Sequence, residues 1–196
     1  MAEQLRAVTL ASASPRRLDL LRGLGLEVTV VRSSYEEDNT LGPGMGPAAL
    51  AKCHAEGKAA AAQTHGPPLL VAADTVVDVD GVLLGKPRDA ADARRMLALL
   101  SGREHQVHTG FAVVDRGRMR LYSGVESARV RFLPLSAARI SSYVDGGEPM
   151  DKAGAYGIQG QGALNVASVN GDFYAVMGLP LARLGLVFAE LGYEVA

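Results

Sequence analysis

Two arginines, Arg16 and Arg17, directly follow Ser14-Pro15. Ser14 is a favourable helix N-cap and Pro15 a favourable first helical residue, so both arginines fall in a first helical turn. Positive charge there opposes the helix dipole, which favours anions. An anion at that end would remove the conflict. Backbone N–H groups, the dipole and two guanidinium forks would then converge on a phosphate. The alternative is a pair of solvated arginines on an exposed turn.

A second centre is Asp74, in Ala72-Ala73-Asp74-Thr75-Val76-Val77. An apolar strand ending in a carboxylate places it at a sheet edge, where open α/β sheets bind ligands. Such a residue holds Mg²⁺ or polarises water, or else simply forms a turn. Glu36-Glu37-Asp38 follows another expected strand and would share a hard cation with Asp74 through oxygen ligands, unless it is a solvated loop. Lys86, in Gly85-Lys86-Pro87, is either a point charge for phosphate or an exposed hairpin lysine. The glycine-dense stretch at 154–162 lets a backbone approach a ligand closely, or forms an ordinary loop. Within it Gln159 offers both a donor and an acceptor, as base recognition needs.

Other motifs fail on spacing. Gly81 to Gly85 is one residue short for a Walker A loop, and Pro87 stands where that loop needs Ser or Thr. Gly160-x-Gly162 has Asn165 at the third glycine position of a dinucleotide fingerprint, and a strand follows rather than a helix. His105 and His108 are three apart on an expected strand, so they face opposite sides and do not chelate together. Asp78-x-Asp80-Gly81 lacks the EF-hand spacing, and no Gly-x-Ser-x-Gly elbow exists. Cys53 lies within an expected helix, where Lys52 and His54 point to other faces.

The elements that must position these groups follow from periodicity and turn residues. Residues 8–11 and 28–31 read as strands, separated by a helix with an apolar face of Leu18, Leu20, Leu21 and Leu24 that Gly23 and Gly25 end. Residues 39–47 read as a loop and 47–63 as an Ala-rich helix. Residues 69–73 form a strand delivering Asp74, and 76–84 a hairpin about Asp80-Gly81. An amphipathic helix covers 89–100. A longer hairpin joins 105–115 to 119–133, and a helix covers 136–144. Residues 164–169 and 173–176 read as strands paired around Asn170-Gly171, and 180–191 as the last helix. Hairpins among helices imply a mixed rather than all-parallel sheet in an α/β fold.

The 196 residues suit one domain, or two small lobes sharing a core. Lys and Arg (20) nearly balance Asp and Glu (21), which argues against a general nucleic-acid binder. Cys53 is the only cysteine, so no intrachain disulfide forms, as suits a reducing cytoplasm. No stretch of 18 apolar residues or signal-peptide core is present, so neither membrane insertion nor export is expected.

Taken in order, these pieces resemble the Maf family of nucleoside triphosphate pyrophosphatases, from about Val8 to Leu181. The resemblance rests on Leu10-Ala11-Ser12-Ala13-Ser14-Pro15-Arg16-Arg17, Glu36-Glu37, Ala73-Asp74-Thr75-Val76-Val77, Gly85-Lys86-Pro87-Arg88-Asp89, Leu100-Ser101-Gly102 and Val107-His108-Thr109-Gly110. It continues through Glu148-Pro149-Met150-Asp151-Lys152-Ala153-Gly154-Ala155-Tyr156-Gly157-Ile158-Gln159-Gly160 and Met177-Gly178-Leu179-Pro180-Leu181. It implies a two-lobed α/β fold with a cleft between the lobes, and hydrolysis between the α and β phosphates with a divalent cation (Mg²⁺, Mn²⁺ or Co²⁺). By position, Asp74 matches the catalytic base. Glu36 and Asp74 match metal-site residues. Ser12, Arg16, Arg17 and Lys86 match phosphate-binding residues. Arg16, Thr75 and Gln159 resemble the branch acting on dTTP and UTP rather than on 7-methyl-GTP. A nucleoside triphosphate is the implied partner, with no nucleic acid or membrane, and a homodimer is the assembly to test. A regulatory role in septum formation or growth arrest is the second class of function that the resemblance implies. The family usually has lysine where His54 stands, so Lys52, Lys58 or His54 itself must supply that charge.

Overall fold

An eleven-residue strand, Leu69–Val79, is buried on both faces and runs through the middle of the molecule. The computed structural model describes residues 2–38, 44–63 and 65–195. Their elements are β1 (Glu3–Leu5), β2 (Ala7–Leu10), α1 (Pro15–Gly23), β3 (Glu27–Val30), α2 (Pro47–Ala60), β4 (Leu69–Val79), β5 (Val82–Leu84), α3 (Ala90–Leu100) and β6 (Glu104–Asp115). There follow β7 (Arg120–Phe132), α4 (Ala137–Asp145), β8 (Val166–Asn170), α5 (Phe173–Met177), α6 (Leu181–Glu190) and β9 (Tyr193–Val195). Short 3-10 turns at Glu148–Asp151, Ala153–Ala155 and Gly160–Asn165 fill the segment between α4 and β8. Most of the loop expected at 39–47 lies outside the described residues.

The main sheet has the order β3-β2-β4-β6-β7-β8, with β5 paired to β4. The β3-β2-β4 part is parallel and the β4-β6-β7-β8 part antiparallel, giving the expected mixed α/β sheet. A strand's side chains alternate between faces. Leu69, Val71 and Ala73 therefore enter one hydrophobic cluster, with Leu20, Leu21, Leu184 and Phe188 of α1 and α6. Val77 and Val79 lie on the same face and enter a second cluster, with Leu97 and Leu100 of α3 and Ile140 and Val144 of α4. Leu70, Ala72 and Val76 point the other way, beneath α2. β4 thus passes from one cluster to the other, and residues 74–76 mark the crossing.

Two expectations about this frame need correction. Residues 69–73 and 76–79 are one strand, because Asp74 pairs with Gly110 of β6 and the antiparallel ladder continues through it. Asp74 is therefore mid-strand, not at a strand end. It still meets open space on its other side. The β2 pairing of β4 reaches only Val71 and the β5 pairing begins at Val77, so residues 72–76 have no strand there. Gly110 makes the α2 side of this crossing narrow. A Cβ there would lie 2.1 Å from the Ala51 carbonyl oxygen, so only glycine lets α2 press onto β6 beside Asp74.

The segment expected as a strand at 173–176 is helix α5. Its aromatic and β-branched residues suit a strand, but Asp172 caps it by accepting from the N–H groups of Tyr174 and Ala175. Gly178, at φ 113°, ends it. β8 pairs with β7 instead. The pair β1 and β9, joined in parallel as a separate two-stranded sheet, was not expected from the sequence.

Candidate active site

The window beside residues 72–76 opens into a cleft of about 860 Å³ between the two clusters. Six cationic side chains line it, Arg16, Arg17, Arg32, Lys58, Lys86 and Lys152, against three carboxylates, Glu37, Asp74 and Asp151. The whole chain carries a net charge of −1, so the cationic excess is a property of the cleft, which is built to receive an anion.

One wall is the start of α1. Ser14 is its N-cap and Pro15 its first residue, as expected, but the Ser14 side chain makes no capping bond. Ser12 organises the turn instead. Its hydroxyl oxygen accepts from the Ser14 N–H at 3.2 Å and from Arg17 Nη1 at 3.1 Å. With both bonds accepted, the Ser12 hydroxyl proton remains available to an anion. The first turn of α1 contains no acidic residue.

The two arginines separate in role. Arg17 is buried, and its guanidinium donates to the Gly178 carbonyl at 2.8 Å, to Ser12 Oγ and to Thr75 Oγ1 at 3.0 Å. Burial draws its pKa below the ordinary arginine range, opposed by the nearby Asp74 charge. It thus borders the cleft while locking Ser12, Thr75 and the α5 terminus together. Arg16 reaches across the cleft and donates to Asp151 Oδ2 at 2.9 Å.

Thr75 lies between the two clusters, opposite Thr109 of β6. Thr109 donates its only hydroxyl proton to the Ala175 carbonyl at 2.7 Å. The 2.9 Å contact between the two hydroxyls must therefore be donated by Thr75. With Arg17 donating into it, the Thr75 oxygen has no proton left for a ligand and can only accept.

Asp74 faces α2, where Lys58 Nζ lies 2.5 Å from its Oδ1 and 2.6 Å from Glu37 Oε1. Burial would raise the Glu37 pKa, but the Lys58 bond and charge, with Lys86 and His54, hold it below the usual glutamate value. Glu37, not Glu36, is the acidic residue lining the cleft; Glu36 is exposed and is not among the lining residues. Lys58, one helical turn beyond His54, is the α2 lysine that reaches Asp74. His54 is buried, and its Nδ1 shares a 2.9 Å hydrogen bond with Tyr35 Oη. The Tyr35 ring occupies the space above Gly57, where a Cβ would lie 2.2 Å from it. Lys52 instead pairs with Glu56.

The opposite wall carries Lys86, exposed after β5, and the glycine-rich segment with Lys152 and Gln159. Ser12, Arg16, Arg17, Asp74, Thr75, Lys86 and Gln159, each singled out from sequence, thus border one volume. Sequence reasoning missed Glu37, Asp151 and Lys152 as cleft residues, although all three lay inside the quoted motifs. His105 and His108 do not meet. His105 Nε2 bonds Tyr156 Oη and His108 Nδ1 bonds Ser127 Oγ. Cys53 is exposed on α2 and does not line the cleft.

Comparison with known proteins is consistent with this arrangement. Residues 7–191 match the family described as Maf-like protein. The chain is 41% identical over 191 residues to a dTTP/UTP pyrophosphatase of Dictyoglomus thermophilum, covering 97% of this chain and 98% of that protein. It is 47% identical over 192 residues to one of Symbiobacterium thermophilum, covering 97% of each. It is also 44% identical over 187 residues to one of Carboxydothermus hydrogenoformans, covering 95% of this chain and 99% of that protein.

Proposed function

The chain belongs to the Maf family, and on that premise we propose that it hydrolyses pyrimidine nucleoside triphosphates. The substrates are dTTP, UTP and modified pyrimidine analogues, cleaved between the α and β phosphates to the monophosphate and pyrophosphate. The observation that carries this reading is the convergence of an anion-binding helix end and a shared carboxylate pair on one cleft. Ser12 and Arg16 border the volume from the α1 wall, Lys86 and Lys152 border it from the opposite wall, and Asp74, Glu37 and Lys58 line it with them.

A divalent cation fits the donor set. Asp74 and Glu37 supply hard oxygen ligands, and they already converge on one positive charge, the Lys58 ammonium. Among the described residues no group of three or more His, Cys, Asp or Glu gathers to hold a metal. Two carboxylates with phosphate oxygens completing the shell is the usual arrangement for Mg²⁺. When bound, the cation would offset charge on the phosphates as the leaving group forms. The chain's own groups do the rest. The α1 end and Ser12 hold phosphate oxygens, Arg17 fixes that loop from behind, and Lys86 adds a point charge. Asp74 accepts a proton from the attacking water, within a site whose walls come from both clusters.

We assign pyrimidine preference to Arg16, Thr75 and Gln159. Uracil and thymine present a carbonyl, an N–H and a second carbonyl along one edge. A glutamine amide matches such an edge by accepting from the N–H and donating to a carbonyl, and Thr75 can only accept. Cytosine offers an amino group and a bare ring nitrogen instead. The chain is read as one two-lobed unit working in the cytoplasm; no described helix is long and apolar enough to cross a membrane.

The test is kcat/KM for UTP, dTTP, CTP and 7-methyl-GTP with Mg²⁺ or Mn²⁺. UTP and dTTP should lead, and EDTA should abolish turnover. A preference for 7-methyl-GTP, or no turnover of any triphosphate, would overturn the proposal. Nucleotide with Mg²⁺ at about 100 times its Kd should also stabilise the fold by about 2.7 kcal/mol.

A further inference from the structure

The segment that carries Gln159 has few side chains to hold it in place, yet its backbone is anchored at both ends. We propose that Glu148 is a specificity-positioning residue, whose carboxylate fixes loop 157–162 and thereby the place of the Gln159 amide in the cleft. This rests on the assignment of base preference to Gln159.

Glu148 opens the 3-10 turn Glu148–Asp151. Its Oε1 accepts from Tyr143 Oη at 2.9 Å and from the Gly162 N–H at 3.1 Å. Its Oε2 accepts from the Gln161 N–H at 3.0 Å. Tyr143, buried in the second cluster, uses the same hydroxyl to accept from the Gly157 N–H at 3.1 Å. The backbone is thus tied after Gln159 directly to the carboxylate, at Gln161 and Gly162, and two residues before it, at Gly157, to the Tyr143 hydroxyl that donates to the same carboxylate.

Space at the loop confirms how tightly it is drawn. A Cβ on Gly162 would lie 2.1 Å from the Gly157 carbonyl oxygen and 2.6 Å from Tyr143 Oη. Gly160, at φ 65°, lies directly on the carboxylate, where a Cβ would be 2.8 Å from Glu148 Oε2. Only glycine fits at these two positions. Arg139 adds an outer brace, donating to the Gln161 carbonyl at 2.8 Å and to Asn165 Oδ1 at 2.9 Å. Asp151, at the other end of the same turn, accepts from Arg16. The turn Glu148–Asp151 therefore connects, through its first and last residues, to two of the three groups assigned to base preference.

The carboxylate suits this work as an acceptor of three donors, and ionised acceptors make the stronger hydrogen bonds. Glutamine at position 148 would retain one oxygen and present an NH₂ group to a backbone N–H, where two donors cannot bond. One side of the loop would be released, while Ser12, Arg17 and Lys86 share no hydrogen bond with Glu148 and Lys152 meets only its backbone carbonyl, which the substitution keeps.

The experiment measures kcat/KM for UTP and CTP in wild type, Gln159→Ala, Glu148→Gln, Tyr143→Phe and the Glu148→Gln/Gln159→Ala double variant. The inhibition constant of inorganic tripolyphosphate is followed alongside. Glu148→Gln and Tyr143→Phe should each lower the UTP-to-CTP ratio by about 5-fold or more, the discrimination that a misplaced Gln159 amide would lose with one hydrogen bond to the base. Tripolyphosphate inhibition should stay as in wild type, and the double variant should lose no more discrimination than Gln159→Ala alone. Tyr143→Phe keeps the ring and decides the matter if Glu148→Gln does not fold. A wild-type ratio in Glu148→Gln or Tyr143→Phe, with Gln159→Ala collapsing it, would overturn the role of Glu148. An unchanged ratio in Gln159→Ala would instead overturn the base-preference reading beneath it.

Discussion

Lys58 Nζ lies 2.5 Å from Asp74 Oδ1, so a lysine one helical turn beyond His54 neutralises the carboxylate at the centre of the cleft. The same ammonium holds Glu37 at 2.6 Å. Replacing it by methionine leaves two neighbouring carboxylates without their shared cation. Breaking a buried pair costs about 3–5 kcal/mol, but Glu37 is 33% exposed and screened, so a loss of about 1–2 kcal/mol is expected. Lys58→Met should therefore melt earlier in EDTA than wild type. Mg²⁺ should restore more stability to the variant than it adds to wild type, because the cation meets two unshared carboxylates. Equal Mg²⁺ effects on the two proteins, measured by calorimetry, would contradict this.

Asp74→Asn keeps size and loses charge. General-base loss typically costs about 10²- to 10⁴-fold, so turnover of UTP should fall by that order while circular dichroism stays native. Activity within a few-fold of wild type would return Asp74 to a purely structural role.

Arg16 and Asp151 join across the cleft with side chains 26% and 57% exposed. A pair this exposed contributes about 0–1 kcal/mol to stability, so Asp151→Asn should leave the melting temperature nearly unchanged. Its effect should be kinetic. Freed from Asp151, Arg16 loses one fixed orientation, and kcat/KM for UTP should change by up to about 5-fold. A large melting shift with unchanged kinetics would show that the pair holds the fold rather than the site.

How far the sequence alone reached depends on the range of the interaction. The start of α1 was legible because Ser14, Pro15 and two arginines act within one turn. So were α3 and α4, whose caps and apolar spacing are local, and α2, whose run of alanines follows Pro47 at its start. The Phe-Tyr-Ala-Val residues of α5 suit a strand, but the Asp172 cap and the Gly178 stop make that segment a helix. β1 and β9 are three residues each and pair from opposite ends of the chain, so no local pattern marks them. In the site, residue types were legible but side-chain direction was not. Glu36 and Glu37 are adjacent, and only the path of the chain after β3 decides that Glu37 turns inward. Likewise, Lys52, His54 and Lys58 are equal candidates in sequence, and only the folded chain brings Lys58 to Asp74 while His54 bonds Tyr35 and Lys52 pairs with Glu56.

His105 sets an acid-side limit on stability. It is buried against Phe132 and Tyr156, and burial lowers its pKa from 6.5 to about 4. Between these values the unfolded chain binds a proton that the folded chain excludes, so stability rises with pH across that window and is lost as pH falls through it. At 1.36 kcal/mol per unit, the loss by pH 4 is on the order of 3 kcal/mol. Unfolding free energy measured in urea should decline from pH 7 to pH 5, and His105→Gln should flatten that decline. An equal slope in the variant would assign the acid sensitivity to other groups.

The most direct measurement is identification of the products from UTP and dTTP with Mg²⁺ by phosphorus NMR. The proposed reaction predicts one monophosphate and one pyrophosphate per triphosphate consumed, with no orthophosphate until a pyrophosphatase is added. Release of orthophosphate together with UDP or dTDP would contradict it, because cleavage would then fall at the β–γ bond.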